Sequence, residues 1–512
     1  MEAKTEKDES KGYSLYPYQK EAIEKLFNRL SKVEQNHNLL FQLPTGGGKT
    51  IIFSEIAKKY IQEKKKKVLI LTHRIELSVQ TSRALEATGV KNTIINSKSK
   101  SAEEHEGFDC FVAMVETLNN RLDEDDAYID NIGLVIIDEA HYNSFRKLFK
   151  FFENVNMLGV TATPLSSNMN LPLYENYDEL VTGASIASLI EDEYLSDAST
   201  FSYDVNLRTL KVGVSGDFTV ASSDKLYGQF MMLEKLLNAY EEKCKGKKTL
   251  IFNSGIQTSL EVYKYFKEEG YDNIKHLDST YSDTDRKEVL DWFHNTPNAV
   301  LTSVGILTTG FDEPTVESII LNRATRSLTL YHQMCGRGSR VYKDKKKFTI
   351  IDLGNNAQRF GLWQEGIDWH MVFKFPNRFL EGIFNREKEL MMSQPYEMPD
   401  DVKDQFASYD HDDPFNMVEM HKYCIDNHLK PIQAIDFSIE DHLAMIVDNA
   451  RDYWEGRDLQ KLLADDIKHR IKQYSYCIAK STDNYQQWLF ETYNRKLQLE
   501  LRKALPMGDD ED

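Results

Sequence analysis

Short runs of apolar residues recur along this chain, and they constrain its architecture more than any other feature. LLFQL, VLILT, CFVAMV, LVIIDEAH and MLGVTAT follow one another from Leu39 to Thr163, and TLIFNS, AVLTSV, SIILN and FTIIDLG form a second set that ends at Gly354. A strand with one wet face alternates polar and apolar residues, whereas a strand apolar throughout is covered on both faces. Stretches with helical spacing separate the runs, so the pattern predicts parallel sheets sandwiched by helices, and it occurs twice. At 512 residues the chain is also too long for one core. The expected organisation is α/β: an N-terminal domain over 1–193, a hairpin and linker over 194–228 marked by LKVGVSGDFTV, and a second α/β domain over 229–355. A mostly α-helical C-terminal region follows over 356–512, with helical spacing in His442 to Asp466 and Tyr485 to Leu505. Its aromatics Trp454, Tyr474, Trp488, Phe490 and Tyr493 suit helix packing or base stacking, and amphipathic stripes of this kind favour packing.

Composition removes several function classes. No apolar stretch reaches the 18 residues of a membrane span, the mean hydropathy is −0.52, and the charged start, Met1 to Lys11, has no signal-peptide core. A cytoplasmic protein without membrane contact is expected. Cys110, Cys244, Cys335, Cys424 and Cys477 are scattered without a Cys-x-x-Cys pair, which points to buried thiols rather than disulfides or zinc. The net charge of −18 means that any phosphate binding is local. The Asp509 to Asp512 tail reads as solvated terminus.

Two segments carry chemistry. LLFQLPTGGGKT sets a strand, a glycine turn and a helical run in the order of a phosphate-binding loop, with Leu43 where the usual first glycine would stand. Thr45, Gly46, Gly47 and Gly48 let successive N–H groups face a phosphate, Lys49 supplies a cation, and Thr50 offers a hydroxyl to Mg²⁺. LVIIDEAH then brings Asp138, Glu139 and His141 to the end of a buried strand, where ligands of parallel sheets bind. Asp138 suits Mg²⁺, and Glu139 suits orienting or deprotonating a water.

Asp138 to His141 spell a DEAH box, and with it the chain resembles superfamily 2 helicases and translocases over about residues 13–360. TAT at Thr161 to Thr163, LTSVGILTTGFDEP from Leu301 and QMCGRGSR from Gln333 resemble the third, fifth and sixth motifs. LYPYQ resembles the glutamine motif, THRIEL motif Ia and MVETL motif Ib. The GFDEP string, the run RATRSLTLYHQMCGRGSR and IIDLGNN look most like the branch that holds RadD, XPB, UvsW and restriction-enzyme motors. The resemblance implies two RecA-like domains, with ATP and Mg²⁺ as cofactors. It also implies roles for named residues. Gln19 would read adenine, Arg337 and Arg340 would reach across the cleft as arginine fingers, His141 and Gln333 would connect its two faces, and Gly310 and Asp312 would line it. It further implies a DNA helicase or translocase with a monomeric core; an ATP-dependent clamp or sensor without unwinding, on RNA as well as DNA, stays open.

Placement relative to the strands gives the nucleic-acid side. Thr72, His73 and Arg74, Thr117, and Thr302 and Ser303 follow or end strands at the carboxyl edge, where hydroxyls, N–H groups and the Arg74 cation suit phosphates. The lysine runs Lys64 to Lys67 and Lys343 to Lys347 precede strands, so they are expected as solvated punctuation at the opposite edge.

Overall fold

The computed structural model describes residues 14–32, 37–97, 107–125, 128–203, 205–308, 310–343, 345–393, 396–411, 413–478 and 483–508. The expectations for Met1 to Lys11, for Asp344 and for the Asp509 to Asp512 tail lie outside them. Two units make up the chain, 1–380 and 381–512.

The first unit holds two parallel sheets. Strands β1 (Leu39–Gln42), β2 (Lys67–Thr72), β3 (Asn92–Ile95), β4 (Cys110–Met114), β5 (Ile132–Asp138), β6 (Asn156–Thr161) and β7 (Glu179–Thr182) lie in the order β3-β4-β2-β5-β6-β1-β7. Strands β8 (Asp197–Ser202), β9 (Thr249–Asn253), β10 (Ile274–Leu277), β11 (Val300–Ser303), β12 (Ser318–Asn322) and β13 (Lys347–Asp352) form the second sheet, in the order β10-β11-β9-β12-β13-β8.

The apolar runs make sense on this frame. In β2, Val68 and Ile70 join one core with Phe53 and Ile56 of the helix Lys49–Lys64, while Leu69 and Leu71 join a separate core on the other face with Phe145 and Leu148. In β9, Leu250 and Phe252 face one core and Ile251 the other. β2 and β9 thus bury both their odd and their even residues, at about 1.5–3 kcal/mol for each large aliphatic side chain taken from water.

Residues 194–228 hold more than a hairpin and linker. β8 pairs along its whole length with β13, from Asp197 beside Lys347 to Ser202 beside Asp352. The hairpin is reduced to the antiparallel bridge Val212–Phe218, and Asp217 accepts from the Thr325 hydroxyl at 2.7 Å and the Arg326 N–H at 2.7 Å. Residues 356–380 pack within the first unit. Trp363 is buried in the core around β9 and β11, Phe373 in the core around β5, and Val372 against Leu165 and Leu328.

In the second unit the described residues form helices around a core that includes Met417, Ile435, Ile467, Leu497 and Leu501. The aromatics divide. Tyr474 and Tyr493 are buried and Phe490 packs against the same core, whereas Trp454 and Trp488 are exposed. Tyr493 also belongs to a buried polar cluster. Its hydroxyl lies 2.8 Å from His442 Nδ1, whose Nε2 meets Asp466 at 2.9 Å, and Arg470 binds both Asp466 and Asp441. Four of the cysteines are buried thiols and Cys477 is half-buried. No described helix is long and apolar enough to cross a membrane.

Candidate functional site in the cleft of the first unit

β1 delivers the chain at Gln42 into the turn Leu43–Gly48, and the helix Lys49–Lys64 begins at once. The turn needs glycine at two points, since Gly46 (φ 87°) and Gly48 (φ 79°) occupy the left-handed region. Space forbids side chains as well. A Cβ on Gly48 would stand 2.6 Å from the Gln19 amide nitrogen, and one on Gly47 2.9 Å from Leu43. The helix N-terminus, with its unpaired N–H groups, opens beside Lys49, whose Nζ donates to the Leu43 carbonyl at 3.3 Å. Burial lowers the Lys49 ammonium from its ordinary range; Glu139 and Asp138 pull it back up, while Arg337 and Arg340 add to the lowering.

β5 ends at Asp138, and Glu139 takes a left-handed φ of 53°, rare for a side-chain-bearing residue. That twist turns its carboxylate toward His141, whose Nδ1 lies 3.3 Å from Glu139 Oε2 and 3.0 Å from Thr161 Oγ1. Burial and the adjacent Glu139 charge raise the Asp138 carboxyl above the usual range against the pull of Lys49. Burial also pushes Glu139 up, but the His141 hydrogen bond and Lys49 outweigh it and leave Glu139 the more acidic of the two.

The second lobe supplies the opposite wall. Arg337 donates to the carbonyls of Phe311 and Thr308, and Arg340 pairs with Asp312. Burial lowers both guanidinium groups to about 10, so both remain cations at neutral pH. A cleft of about 930 Å³ collects Thr45, Gly46, Gly48, Lys49, Thr50, Asp138 and Glu139 from one lobe and Gly310, Asp312, Arg337 and Arg340 from the other. Gln333 is buried nearby in sequence, on the helix Leu328–Cys335, and its amide nitrogen has no hydrogen-bond partner. The residues fit a nucleoside triphosphate with Mg²⁺. The glycine turn leaves room only for backbone N–H groups, four cations, Lys49, Arg83, Arg337 and Arg340, line one cavity, and the Thr50 hydroxyl and Asp138 carboxylate are oxygen donors of the kind that would hold Mg²⁺.

Several contacts were not foreseen. Thr163 Oγ1 donates to Thr329 Oγ1 at 2.8 Å, and Arg286 meets Glu76 at 2.8 Å, so both pairs hydrogen-bond across the two lobes. The Tyr18 hydroxyl donates to the Gly47 carbonyl at 2.9 Å, and Gln19 accepts from the Tyr16 N–H at 3.0 Å. Tyr194 stacks within 4.5 Å of Tyr16 and 5.1 Å of Tyr18. Tyr18 lies next to Gln19 in LYPYQ, Thr163 in TAT and Glu76 in THRIEL, whereas Tyr194, Arg286 and Thr329 carried no signal for these contacts.

The expected nucleic-acid residues require correction. Thr72, Thr302 and Ser303 are fully buried, so their hydroxyls do not reach a surface phosphate. Thr72 bonds Ser78 Oγ at 2.7 Å and thereby ties β2 to the following helix, and Thr302 accepts from Asn253. A residue still inside a strand covered on both faces has nowhere else to point. His73 and Arg74 are half-buried; His73 stacks 4.1 Å from Tyr142, and burial lowers its imidazole to about 4. Thr117 is half-buried in the helix Val115–Glu124, and the neighbouring Glu116 pairs with Lys147. The second lysine run is corrected in part. Lys345 is no solvated residue, for its Nζ donates to the carbonyls of Pro314, Val316 and Gly338 at 2.7–3.0 Å.

Residues 12–166 match the family described as type III restriction enzyme, res subunit, and residues 228–342 match the helicase conserved C-terminal domain. The chain is 30% identical over 358 residues to the putative ATP-dependent helicase IRC3 of Saccharomyces cerevisiae, which covers 66% of this chain and 51% of IRC3. It is 27% identical to a 51.5 kDa protein of a Lactococcus phage, over 70% of this chain and 74% of the phage protein. The chain therefore spans about half the yeast relative's length. A fragment structure of a putative HsdR subunit of a type I restriction enzyme from Vibrio vulnificus shares the fold, with a TM-score of 0.54 at 21% identity, covering 69% of this chain and 67% of that one. Residues 12–166 and 228–342, facing one cleft, are therefore paired helicase domains, and with these relatives they make the chain similar to the superfamily 2 helicases and translocases.

Proposed function

We propose that this chain is a nucleic-acid-dependent ATPase that moves along or opens DNA. The observation that carries the reading is the meeting of Lys49, Asp138 and Glu139 with Arg337 and Arg340 in one cleft between two lobes. In this reading the Gly46–Gly48 N–H groups and the Lys49 ammonium bind the β- and γ-phosphates, and Thr50 and Asp138 would hold Mg²⁺, which would supply screening of the phosphate charge. Glu139, kept ionised by His141 and Lys49, orients the attacking water and takes its proton. Arg337 and Arg340 stabilise charge as it develops on the departing phosphoryl group. Their placement on the second lobe makes hydrolysis depend on closure, so opening and closing changes the spacing between two grips on the track.

DNA is favoured by the GFDEP and CGRGSR strings and by similarity to restriction-enzyme subunits. Arg74, beside the cleft at the start of the helix Ile75–Ala87, is the cation assigned to the track. The test is ATPase rate with single-stranded, duplex and forked DNA and with RNA, beside a strand-displacement assay. Stimulation by DNA with displacement or translocation is expected. A rate indifferent to every nucleic acid sinks the reading, and DNA-stimulated hydrolysis without movement makes the chain a clamp or sensor.

A further inference from the structure

Four neighbouring strands of the second sheet end on a line of buried polar side chains that the proposed chemistry does not use. Asn322 closes β12, Asn253 closes β9, Thr302 stands one residue before the end of β11, and His276 lies in β10. Ser259, from the helix Ile256–Glu268, inserts between the last two, and all five are buried.

The hydrogen bonds run without a break. Asn322 Nδ2 donates to Asn253 Oδ1 at 2.8 Å, and Asn253 Nδ2 donates to Thr302 Oγ1 at 2.8 Å. Thr302 Oγ1 lies 2.9 Å from Ser259 Oγ, which lies 2.8 Å from His276 Nδ1; His276 Nε2 lies 2.7 Å from Asp278 Oδ2. The carboxylate sets the direction. Asp278 Oδ2 only accepts, so the proton of the neutral His276 ring sits on Nε2 and Nδ1 accepts from the Ser259 hydroxyl. With its own proton used there, Ser259 accepts from Thr302. Asp278 Oδ1 takes two further donors, the Thr280 N–H at 2.7 Å and the Thr280 hydroxyl at 2.6 Å. Aligned donors polarise one another and strengthen the whole line.

Ser259, His276 and Asp278 thus have the connectivity of a hydrolase triad. They do not make one. Ser259 is wholly buried, and its oxygen is already occupied by the Thr302 proton, so no substrate carbonyl can approach. What the line can do is hold the strand ends in place. β11 runs from Thr302 and Ser303 straight into the segment 304–308, and Arg337 is fixed by the Thr308 carbonyl at the end of that segment and by the Phe311 carbonyl.

We propose that His276 is a positioning residue for ATP hydrolysis, which locks the Thr302 hydroxyl and with it the root of segment 304–308, and so sets Arg337, held by the Thr308 carbonyl, toward the phosphates. The inference rests on the proposed ATPase. Glutamine is the conservative replacement, because its amide presents an acceptor and a donor at the spacing of the two ring nitrogens. Under nucleic-acid stimulation, His276→Phe should lower kcat by roughly tenfold or more, as misplacement of a distant support does. KM for ATP should stay within about twofold, since Lys49 and the glycine turn belong to the other lobe. His276→Gln should recover most of the loss, a pattern that mere core damage does not produce. Thr302→Val, which keeps shape and cuts the line in its middle, should repeat the kcat loss and serves if His276→Phe does not fold. In ¹⁵N-histidine-labelled wild type, NMR should show His276 protonated at Nε2. An Nδ1-protonated His276, or a folded His276→Phe or Thr302→Val that hydrolyses ATP at the wild-type rate, overturns the inference alone. A wild type that hydrolyses no ATP with any nucleic acid overturns the proposed function, and the positioning role with it.

Discussion

Glu139 shows how a single residue can be committed to chemistry at the expense of stability. A left-handed φ costs a non-glycine residue roughly 1–2 kcal/mol, and here it falls on the carboxylate that follows β5 in the cleft. In the proposed mechanism Glu139 acts on water and Lys49 on phosphate, so Glu139→Gln should bind ATP and fail to hydrolyse it, whereas Lys49→Ala should weaken binding too. Equal nucleotide affinity of the two variants, measured by titration, contradicts that division. Arg337→Ala should lower kcat by roughly 10³-fold if the guanidinium acts on the transition state, and a mild loss would shift that role to Arg340. His332, wholly buried between Tyr331 and Trp369, yields a prediction in pH. Burial lowers its imidazole to about 4, while an unfolded histidine titrates near about 6.5. Between those values the unfolded chain holds a proton that the folded chain lacks, so stability is lost as pH falls through the window, at up to about 1.4 kcal/mol per pH unit. Urea melts of His332→Phe should show a shallower decline from pH 6.5 to 4 than wild type. Parallel curves would assign the acid sensitivity elsewhere.

At the scale of elements, what sequence reading found and what it missed divide along the sheets. Every strand taken from an apolar run lies inside its sheet, and the four left out, β3, β7, β8 and β10, are the four edges. An edge strand is paired on one side and partly wet, so NTII, ELVT, DASTFS and IKHL need no unbroken apolar run. The cleft was legible because glycine turns and acidic strand ends are local in sequence. The Thr163–Thr329 crossing and the His276 line were not, because their partners meet only through strand order. The same limit misdirected Thr72 and Thr302, assigned to a surface that their strands do not reach. Arg74, the second residue beyond its strand, keeps that assignment, and Lys65 and Lys66 are exposed before β2. Arg74→Ala should reduce the slope of log DNA affinity against log salt by about one unit, and Lys65→Ala with Lys66→Ala far less. The reverse ranking in a salt-series titration would move the grip to the amino edge. Lys345 differs from the other lysines in kind, since its loss strands three carbonyls that share one donor. Lys345→Ala should cost about 1–3 kcal/mol in chemical melts, against about 0.5 or less for the Lys65 and Lys66 pair. Equal costs would return Lys345 to the solvated class.

For the whole molecule, the question is where the motor ends. Every ATP motif precedes residue 355, and the change to helical pattern at Asn355 suggests a cut there. Packing argues for a later one. Trp363 fills the core around β9 and β11, Val372 lies against Leu165 and Leu328, and Phe373 fills the core around β5. Residues 356–380 therefore contribute to cores of both α/β lobes. Deleting one large buried side chain costs roughly 2–5 kcal/mol, and removing three together approaches the entire stability of a typical domain. A fragment of 1–355 should therefore be insoluble or melt far below the full chain, while a fragment of 1–380 should fold and bind an ATP analogue with nearly the full chain's affinity. The second unit, 381–512, has its own core and polar cluster and should melt as a separate transition when expressed alone. Coincident melting of the 1–355 and 1–380 fragments would put the boundary back at 355. A folded 1–380 fragment that cannot bind nucleotide would show instead that the helical unit completes the ATP site, despite carrying none of its motifs.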